Sequence, residues 1–598
     1  DTTRINLELT VNHLGDRRGS LLAVLDRTVT AIGARRLKQW LLYPLLDDSA
    51  IYARHDGVQE LVESFSRRQE LRHSLAKIQD LERLAGRAVA GTAGPKDLVA
   101  IKQTLHGVRE IRSHLGDVHA DILLRASADL ADLPEVIGLI ERSIVDDPPF
   151  LAKEGGFIRA GFDAELDELR GIRADARDWI ARFEASERRR TGIQSLKVRY
   201  NRVFGYYIEI TKSNLKSVPG DYTRKQTLAN GERYITADLK EYEAKVLNAE
   251  SSMEKLEIAL LQRVREEIAS YYLALKAMSG ALAVVDVLVA LAEAAEMQHF
   301  TRPRVDQSTL LTIREGRHPV VETAVGRGAF VANDCSFDPA ESEQIILLTG
   351  PNMAGKSTYM RQVALIVILA QMGSFVPCSD ARVGIVDRIF TRIGAADSLA
   401  RGESTFMVEM KETANILQHA SARSLILLDE VGRGTSTFDG ISIAWAVAES
   451  LHDSPSRPRT LFATHYHELT DLAATKERIR NFNFSVKEWR GEIIFLRNLV
   501  AGAASHSYGI HVARLAGMPP AVVARAKEIL ALLEGGNLGR SARFQNESPL
   551  TCEQPVQMGL FSGGDERLGD ELRKIDILQI TPMESLNLLH KLADMAKK

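Results

Sequence analysis

The octapeptide Gly350-Pro351-Asn352-Met353-Ala354-Gly355-Lys356-Ser357 places two glycines five positions apart and follows the second with Lys and Ser. That is a phosphate-loop pattern. At average residue usage a chance match somewhere in such a chain is on the order of 0.02. The apolar run Ile345–Thr349 leads straight into the loop, and Thr358 opens a helical pattern that continues to residue 371. The chemistry accounts for the residue types. Backbone N–H groups and a helix N-terminus cradle phosphate oxygens, Lys356 pairs with the β- and γ-phosphates, and Ser357 ligates Mg2+.

Two more short apolar runs, 424–428 and 460–464, suit a buried parallel sheet. The first delivers Asp429 to the metal side of the site. Glu430 follows one residue on, where a carboxylate can orient or deprotonate an attacking water. The second ends on His465, which could reach the γ-phosphate or that water. After Pro303 strands and helices alternate, so this half of the chain reads as α/β.

Outward from the loop the texture differs. The chain has 598 residues, 45% hydrophobic and 26% charged, enough for about four domains. Its net charge of −3 excludes a uniformly basic nucleic-acid coat. Three distant cysteines, Cys335, Cys378 and Cys552, exclude a disulfide framework and fit a reducing compartment. No uninterrupted apolar run of about 18 residues suggests a membrane span. Residues up to about Pro149 read as mostly helical. Pro219 alone separates two proline-free tracts, 151–218 and 220–302, which permits very long helices. From Met253 to Ala292 apolar residues step by three or four, predicting one helix of roughly 60 Å. Between the helical tracts, 198–211 and 234–236 read as strands of a small tip, with the tip aromatics Tyr200, Phe204, Tyr206, Tyr207, Tyr222 and Tyr234 as its core. From Arg188 to Arg233 eleven Lys/Arg stand against three acids, a local balance of +8 suited to phosphate contacts. Past residue 536 the chain reads as a polar linker ending in two short helices, 568–580 and 582–596.

Longer strings around these residues resemble the MutS family of DNA mismatch repair proteins. They are Gly350-Pro-Asn-Met-Ala-Gly-Lys-Ser-Thr-Tyr-Met360, Asp429-Glu-Val-Gly-Arg-Gly-Thr-Ser-Thr-Phe-Asp-Gly440, Phe462-Ala-Thr-His465 and the segment from Thr391 to Glu409. Outside the nucleotide half, Leu25-Asp-Arg-Thr-Val-Thr30 and Arg36-Leu-Lys-Gln-Trp-Leu41 are similar to the start of the family's lever. Gly205-Tyr-Tyr-Ile208 and Arg233-Tyr-Ile-Thr-Ala-Asp-Leu-Lys-Glu-Tyr-Glu243 are similar to its clamp.

The resemblance implies a multidomain α and α/β chain: a long helical lever or core with a small β-containing clamp tip, an ABC-type P-loop ATPase domain and a C-terminal helical, helix-turn-helix-like domain. The implied boundaries are 1–180 for the outgoing lever, 181–240 for the DNA clamp and 241–302 for the returning lever helix. The ATPase and dimerisation domain follows at 303–535, then a flexible linker at 536–567 and an oligomerisation domain at 568–598. ATP or ADP and Mg2+ are the implied ligands. The nucleotide would be held by Gly350, Pro351, Asn352, Met353, Ala354, Gly355, Lys356, Ser357 and Thr358. Phe330 would stack on adenine, and Ser404 would reach the partner subunit's nucleotide. Catalysis would fall to Glu430, His465, Lys356 and Asn352, and the metal to Ser357 and Asp429. Asp439 is placed near the dimer interface. Ala354 stands where Gly is common in the family, and is expected not to need a positive φ.

Double-stranded DNA is the implied partner, met by Lys197, Arg199, Arg202, Lys212, Arg224 and Lys225. So are a second copy of the chain (a tetramer through the C-terminal helices), a MutL-type repair protein, and the replication sliding clamp through Gln557, Met558, Leu560 and Phe561. No membrane partner is expected, and a bacterial, nucleoid-associated cytoplasmic setting is. The chain opens on Asp1, and none of its 19 Phe has Glu two positions later. The family wedges the Phe of such a motif into mismatches. The expectation is therefore a lever start without mismatch-reading or connector domains, holding DNA without mismatch discrimination. The alternative is a mismatch-independent paralogue that binds branched or recombination DNA. A transporter ATPase fits poorly, lacking membrane segments.

Overall fold

The structure is a computed structural model that describes residues 2–201, 205–326, 328–351, 354–393, 405–489, 492–503 and 509–534. It divides into two compact units, 1–517 and 518–598. In the second unit the described residues contain the helix Pro520–Glu534.

Helices dominate the first 143 residues, and they gather around the helix Tyr272–Gln298. That helix is Ala-, Val- and Leu-rich, and most of its residues are buried. By length and composition it could cross a membrane, yet two-thirds of its most apolar window is buried inside the protein. One buried carboxylate breaks the apolar pattern. Asp286, fully buried, accepts the N–H groups of Val29 (3.1 Å) and Thr30 (2.9 Å) and the Thr30 hydroxyl (2.6 Å). Thr30 in turn caps the helix Ala31–Leu42 by accepting the Gly33 N–H at 2.9 Å. A Cβ on Gly33 would lie 2.1 Å from Asp286 Oδ2, so glycine is needed there for close approach. The 25–30 string thus has a physical meaning: it delivers three donors to a carboxylate some 256 positions away.

The single helix expected from 253 to 292 is two helices, Ala237–Ser270 and Tyr272–Gln298, broken at Tyr271 (φ −90°, ψ 8°). Burial changes at the same point. Before the break Leu260, Leu261, Val264 and Ile268 mark one buried stripe; after it the helix is enclosed on nearly all sides.

The helix Ala164–Thr191 leads out to a four-stranded antiparallel sheet, ordered Lys197–Asn201, Gly205–Thr211, Gly231–Ile235, Thr223–Leu228. Trp179 joins the outgoing helix to the returning one by stacking on Tyr242 (3.6 Å), and it also stacks on Phe183 of its own helix (5.0 Å). Gly205 has φ +71°, and a Cβ there would fall 1.5 Å from Glu243 Oε1, which receives the Tyr206 N–H at 3.3 Å. The glycine of one family-like string thus meets the last glutamate of the other. Tyr207, Tyr222 and Tyr234 are buried as expected of core residues, and Tyr206 is half-buried. Tyr200 corrects that expectation. It is 54% exposed, because its strand is the sheet edge and, among the described aromatic rings, its ring meets Tyr206 across the pair. Phe204 lies outside the described residues.

The second half holds a six-stranded sheet ordered Ile389–Arg392, Leu425–Asp429, Arg459–Ala463, Ile345–Thr349, Ile479–Trp489, Glu492–Ala501. It is parallel except for its last pair. The helix Lys356–Met372 packs on this sheet and on the strand Leu311–Gly316 of a second sheet. Its far end is tied to the helical half. Arg54 donates to Met372 O at 2.8 Å while lying over Trp40 at 3.6 Å, and Leu45 and Gln371 exchange hydrogen bonds of 2.9 and 3.0 Å. Burial pulls the Arg54 guanidinium down to about 10, so the cation is held at some cost against a helix C-terminal carbonyl. Arg54→Ala is expected to lower stability by about 2 kcal/mol, read as a lower urea midpoint at unchanged denaturant slope.

Candidate active site

Three neighbouring parallel strands end together, where ligands bind in open α/β sheets. Gly350 leaves the strand Ile345–Thr349 at φ +129°, and Gly355 caps the next helix at φ +109°. Both are backbone states that only glycine adopts readily. Ala354 lies between them without a positive φ, so alanine is free to stand there. Lys356 is buried and donates to Gly350 O at 2.7 Å and Pro351 O at 3.1 Å. Burial pushes its ammonium down, opposed by the charges of Glu430 and Asp429. A phosphate oxygen is a stronger partner for that ammonium than a carbonyl.

Ser357 Oγ donates to Asp429 Oδ2 at 2.6 Å, while Asp429 Oδ1 is buried with no hydrogen-bond partner among the described residues. Burial pushes the Asp429 carboxyl up, and the Ser357 bond pulls it back. A hydroxyl and a carboxylate with one uncommitted oxygen fit Mg2+, which proteins hold through one or two carboxylates and leave otherwise to waters and phosphates. Among the described residues no cluster of three acidic, His or Cys side chains has metal-site geometry, so the donor set rests on these two.

Glu430 has φ +56°, strained for a residue with a Cβ. Its N–H goes to Ala463 O at 2.9 Å. His465 Nε2 donates to its Oε1 at 2.8 Å, and Arg433 pairs with Oε2. These two, His465 first, hold the Glu430 carboxyl at about 2. The structure therefore brings His465 onto Glu430. Arg433 stood unremarked inside a family-like string, and only its spacing of three from Glu430 hinted at contact.

Phe330 is half-buried and lines a cavity of about 280 Å3 with Val321, Val325, Thr358, Tyr359, Phe484 and Arg497, beside Ala354 and Gly355. Apolar walls next to the loop suit a nucleotide base. Phe484 and Arg497 come from the antiparallel strand pair, which carried no motif and so went unpredicted. Asn352, Met353, Ser404, Arg202 and the 557–561 motif lie outside the described residues, as do the 568–580 and 582–596 helices and Cys552.

Lys197, Arg199 and Lys225 on the small antiparallel sheet are exposed, and so is Lys212, which opens the 3-10 turn Lys212–Ser217 after its second strand. Arg224 is exposed but contacts Glu232 at 3.4 Å. Lys225 is the extra residue of a bulge between Arg224 and Gln226, a device that re-aims side chains. The +8 balance is partly spent internally: Arg188 pairs with Glu184, Arg190 with Glu187 and Asp221, and Arg233 with Glu209.

Phosphate loop, acidic strand end and parallel sheet together define a P-loop nucleotide-binding domain carried by a helical body. Models of MutS domain III and MutS domain V match residues 2–292 and 346–534. The DNA mismatch repair protein MutS of Symbiobacterium thermophilum is 51% identical over all of this chain, which spans 68% of that relative. Its namesakes in Myxococcus xanthus and Acetivibrio thermocellus are each 49% identical over 99% and 100% of the chain, covering 68% and 69% of their lengths. The chain belongs to the MutS family.

Proposed function

We propose that this chain is the DNA-holding ATPase portion of a DNA mismatch repair protein, working as a homodimer. The observation that carries it is the Ser357–Asp429 pair, with its uncommitted carboxylate oxygen, set beside Glu430–His465 at the strand ends. Lys356 and the loop amides bind the phosphates, and Phe330 takes the base. Glu430 receives a hydrogen bond from the attacking water and fixes its direction, while His465 keeps Glu430 in place. When bound, Mg2+ supplies charge neutralisation at the phosphates, and Ser357 and Asp429 are the residues that would hold it. Ser404 completes the partner subunit's nucleotide site. Nucleotide state then sets the dimer geometry around DNA, a two-state coupling. In the linker, 557–561 would dock on the sliding clamp, the C-terminal helices would support a tetramer, and a MutL-type protein would read the ATP state. The relatives' mismatch-repair name favours this reading over a branched-DNA paralogue.

The test joins turnover with DNA binding. The chain is expected to hydrolyse ATP with Mg2+. It should bind duplex DNA with strong salt dependence and equally for mismatched and perfect duplex. Replacing Lys212 and Lys225 with Ala should weaken all duplexes alike and lower the slope of log K against log salt by about 2. No turnover would overturn the ATPase reading. An unchanged slope would remove these two lysines from the DNA face.

A further inference from the structure

The turn after Asp429 has to hold Glu430 in a strained backbone state, and strain persists only where the surroundings over-determine it. Four contacts do so. Glu430 N–H bonds Ala463 O at 2.9 Å, and Tyr466 Oη donates to Gly432 O at 3.0 Å. Gly432, at φ +92°, lies so close to Gly440 that a Cβ would be 2.5 Å from its carbonyl. The fourth comes from outside the sheet. Glu409, on the helix Thr405–His419, accepts the Gly432 N–H on Oε1 at 2.5 Å. Its other oxygen meets Arg392 at 3.2 Å, at the end of the strand beside Leu425–Asp429, in register with Leu428. Glu409 is 4% exposed and Arg392 6%. A carboxylate that deep is costly unless both oxygens are engaged, and here they are. Among the four contacts it is the one charged group, and the one bridging helix, neighbouring strand and turn.

We propose that Glu409 is a positioning residue for hydrolysis, whose carboxylate fixes the Gly432 amide and thereby aims Glu430. This rests on the ATPase reading above. Among the described residues Glu409 bonds Gly432, Arg392 and Thr413 and none of the nucleotide-binding residues, so its loss should disturb the chemical step and spare binding. Misplacing a group that must align a reacting water costs up to about 100-fold.

The experiment compares Glu409→Ala and Glu409→Gln with the unaltered chain in kcat, equilibrium ATP affinity and thermal midpoint. Glu409→Ala is expected to lower kcat about 10- to 100-fold with ATP affinity within about twofold. Glu409→Gln keeps an oxygen for the Gly432 N–H and should recover most of the rate. Should the alanine variant not fold, Glu409→Asp keeps the charge but is one methylene too short for both partners, and the same loss of kcat is expected. Unchanged kcat in a folded Ala or Asp variant would overturn the proposal. So would a parallel loss of kcat and ATP affinity, or a glutamine variant as slow as alanine. The unaltered chain and Glu430→Gln separate the two levels: no turnover by the unaltered chain fails the ATPase reading itself, normal turnover by Glu430→Gln removes the group that Glu409 is proposed to aim, and an inactive Glu430→Gln beside a normal Glu409→Ala fails only the positioning role.

Discussion

Glu430→Gln is expected to bind ATP about as tightly as the unaltered chain and to hydrolyse it about 100- to 10,000-fold more slowly, the usual contribution of a positioned acid–base group. The substitution is nearly isosteric, so the strained turn, the Ala463 contact and the His465 bond can survive. What changes is the charge offered to the water. In the observed geometry His465 and Arg433 hold the carboxyl at about 2, so it is ionised throughout the working pH range. A carboxylate that acidic is a weak proton acceptor, and its first service is to orient. To accept a proton it must lose what holds it ionised, the His465 bond first and then the Arg433 contact. Its sign in stability follows from the same shift. A depressed carboxyl contributes stability above its unfolded value of 4.5 and loses it as pH falls toward 2. Steady-state kcat and equilibrium nucleotide binding check the expectation. Unimpaired turnover would take Glu430 out of the water's path, and lost ATP binding would show that the substitution had damaged the pocket instead.

The residues that were legible in the sequence are those whose chemistry is local. A strand running into Gly-x4-Gly-Lys-Ser, and strands ending on Asp429 and on His465, declare themselves because each motif lies within one element and its exit turn. What stayed hidden joins separate elements. Nothing local tells that His465 bonds Glu430, that Glu409 reaches Gly432 from a helix, or that Arg497 and Phe484 wall the base cavity. The break at Tyr271 escaped because the apolar spacing runs through it without a shift, while the burial around it changes. Tyr200 was misplaced for a related reason: alternation identifies a strand but not whether that strand is an edge. Charge counting overstated the tip because Glu184 and Glu187, just outside the basic window, take up two of its arginines.

Asp286→Ala is expected to destabilise the helical half by about 2–4 kcal/mol, since three donors lose their shared acceptor in a sealed core. The carboxylate itself is not comfortable there. Burial pushes it up, and the hydrogen bonds, Thr30 first, recover only part. As pH falls toward its raised folded value, the native state takes up a proton before the unfolded chain does, so the penalty shrinks with acid and is largest at neutrality. Removing the charge does not rescue the site. Asparagine would offer one oxygen and turn an NH2 toward donors, so Asp286→Asn should cost as much as alanine. Gly33→Ala supplies an independent arm. Its Cβ would lie 2.1 Å from Asp286 Oδ2, so the single variant should also be destabilised, by about 2 kcal/mol or more. In the double variant the Asp286 Oδ2 and Cγ are gone and the closest remaining side-chain atom is the Cβ at 2.8 Å, so the clash is relieved in part and the combined loss should fall short of the sum by about 1 kcal/mol. Urea midpoints measure the cycle, and amide exchange in Ala31–Leu42 localises it, because an uncapped helix frays from its N-terminus. Additive losses, or exchange that quickens elsewhere while this helix stays protected, would mean that Asp286 fills space and does not organise the helix start.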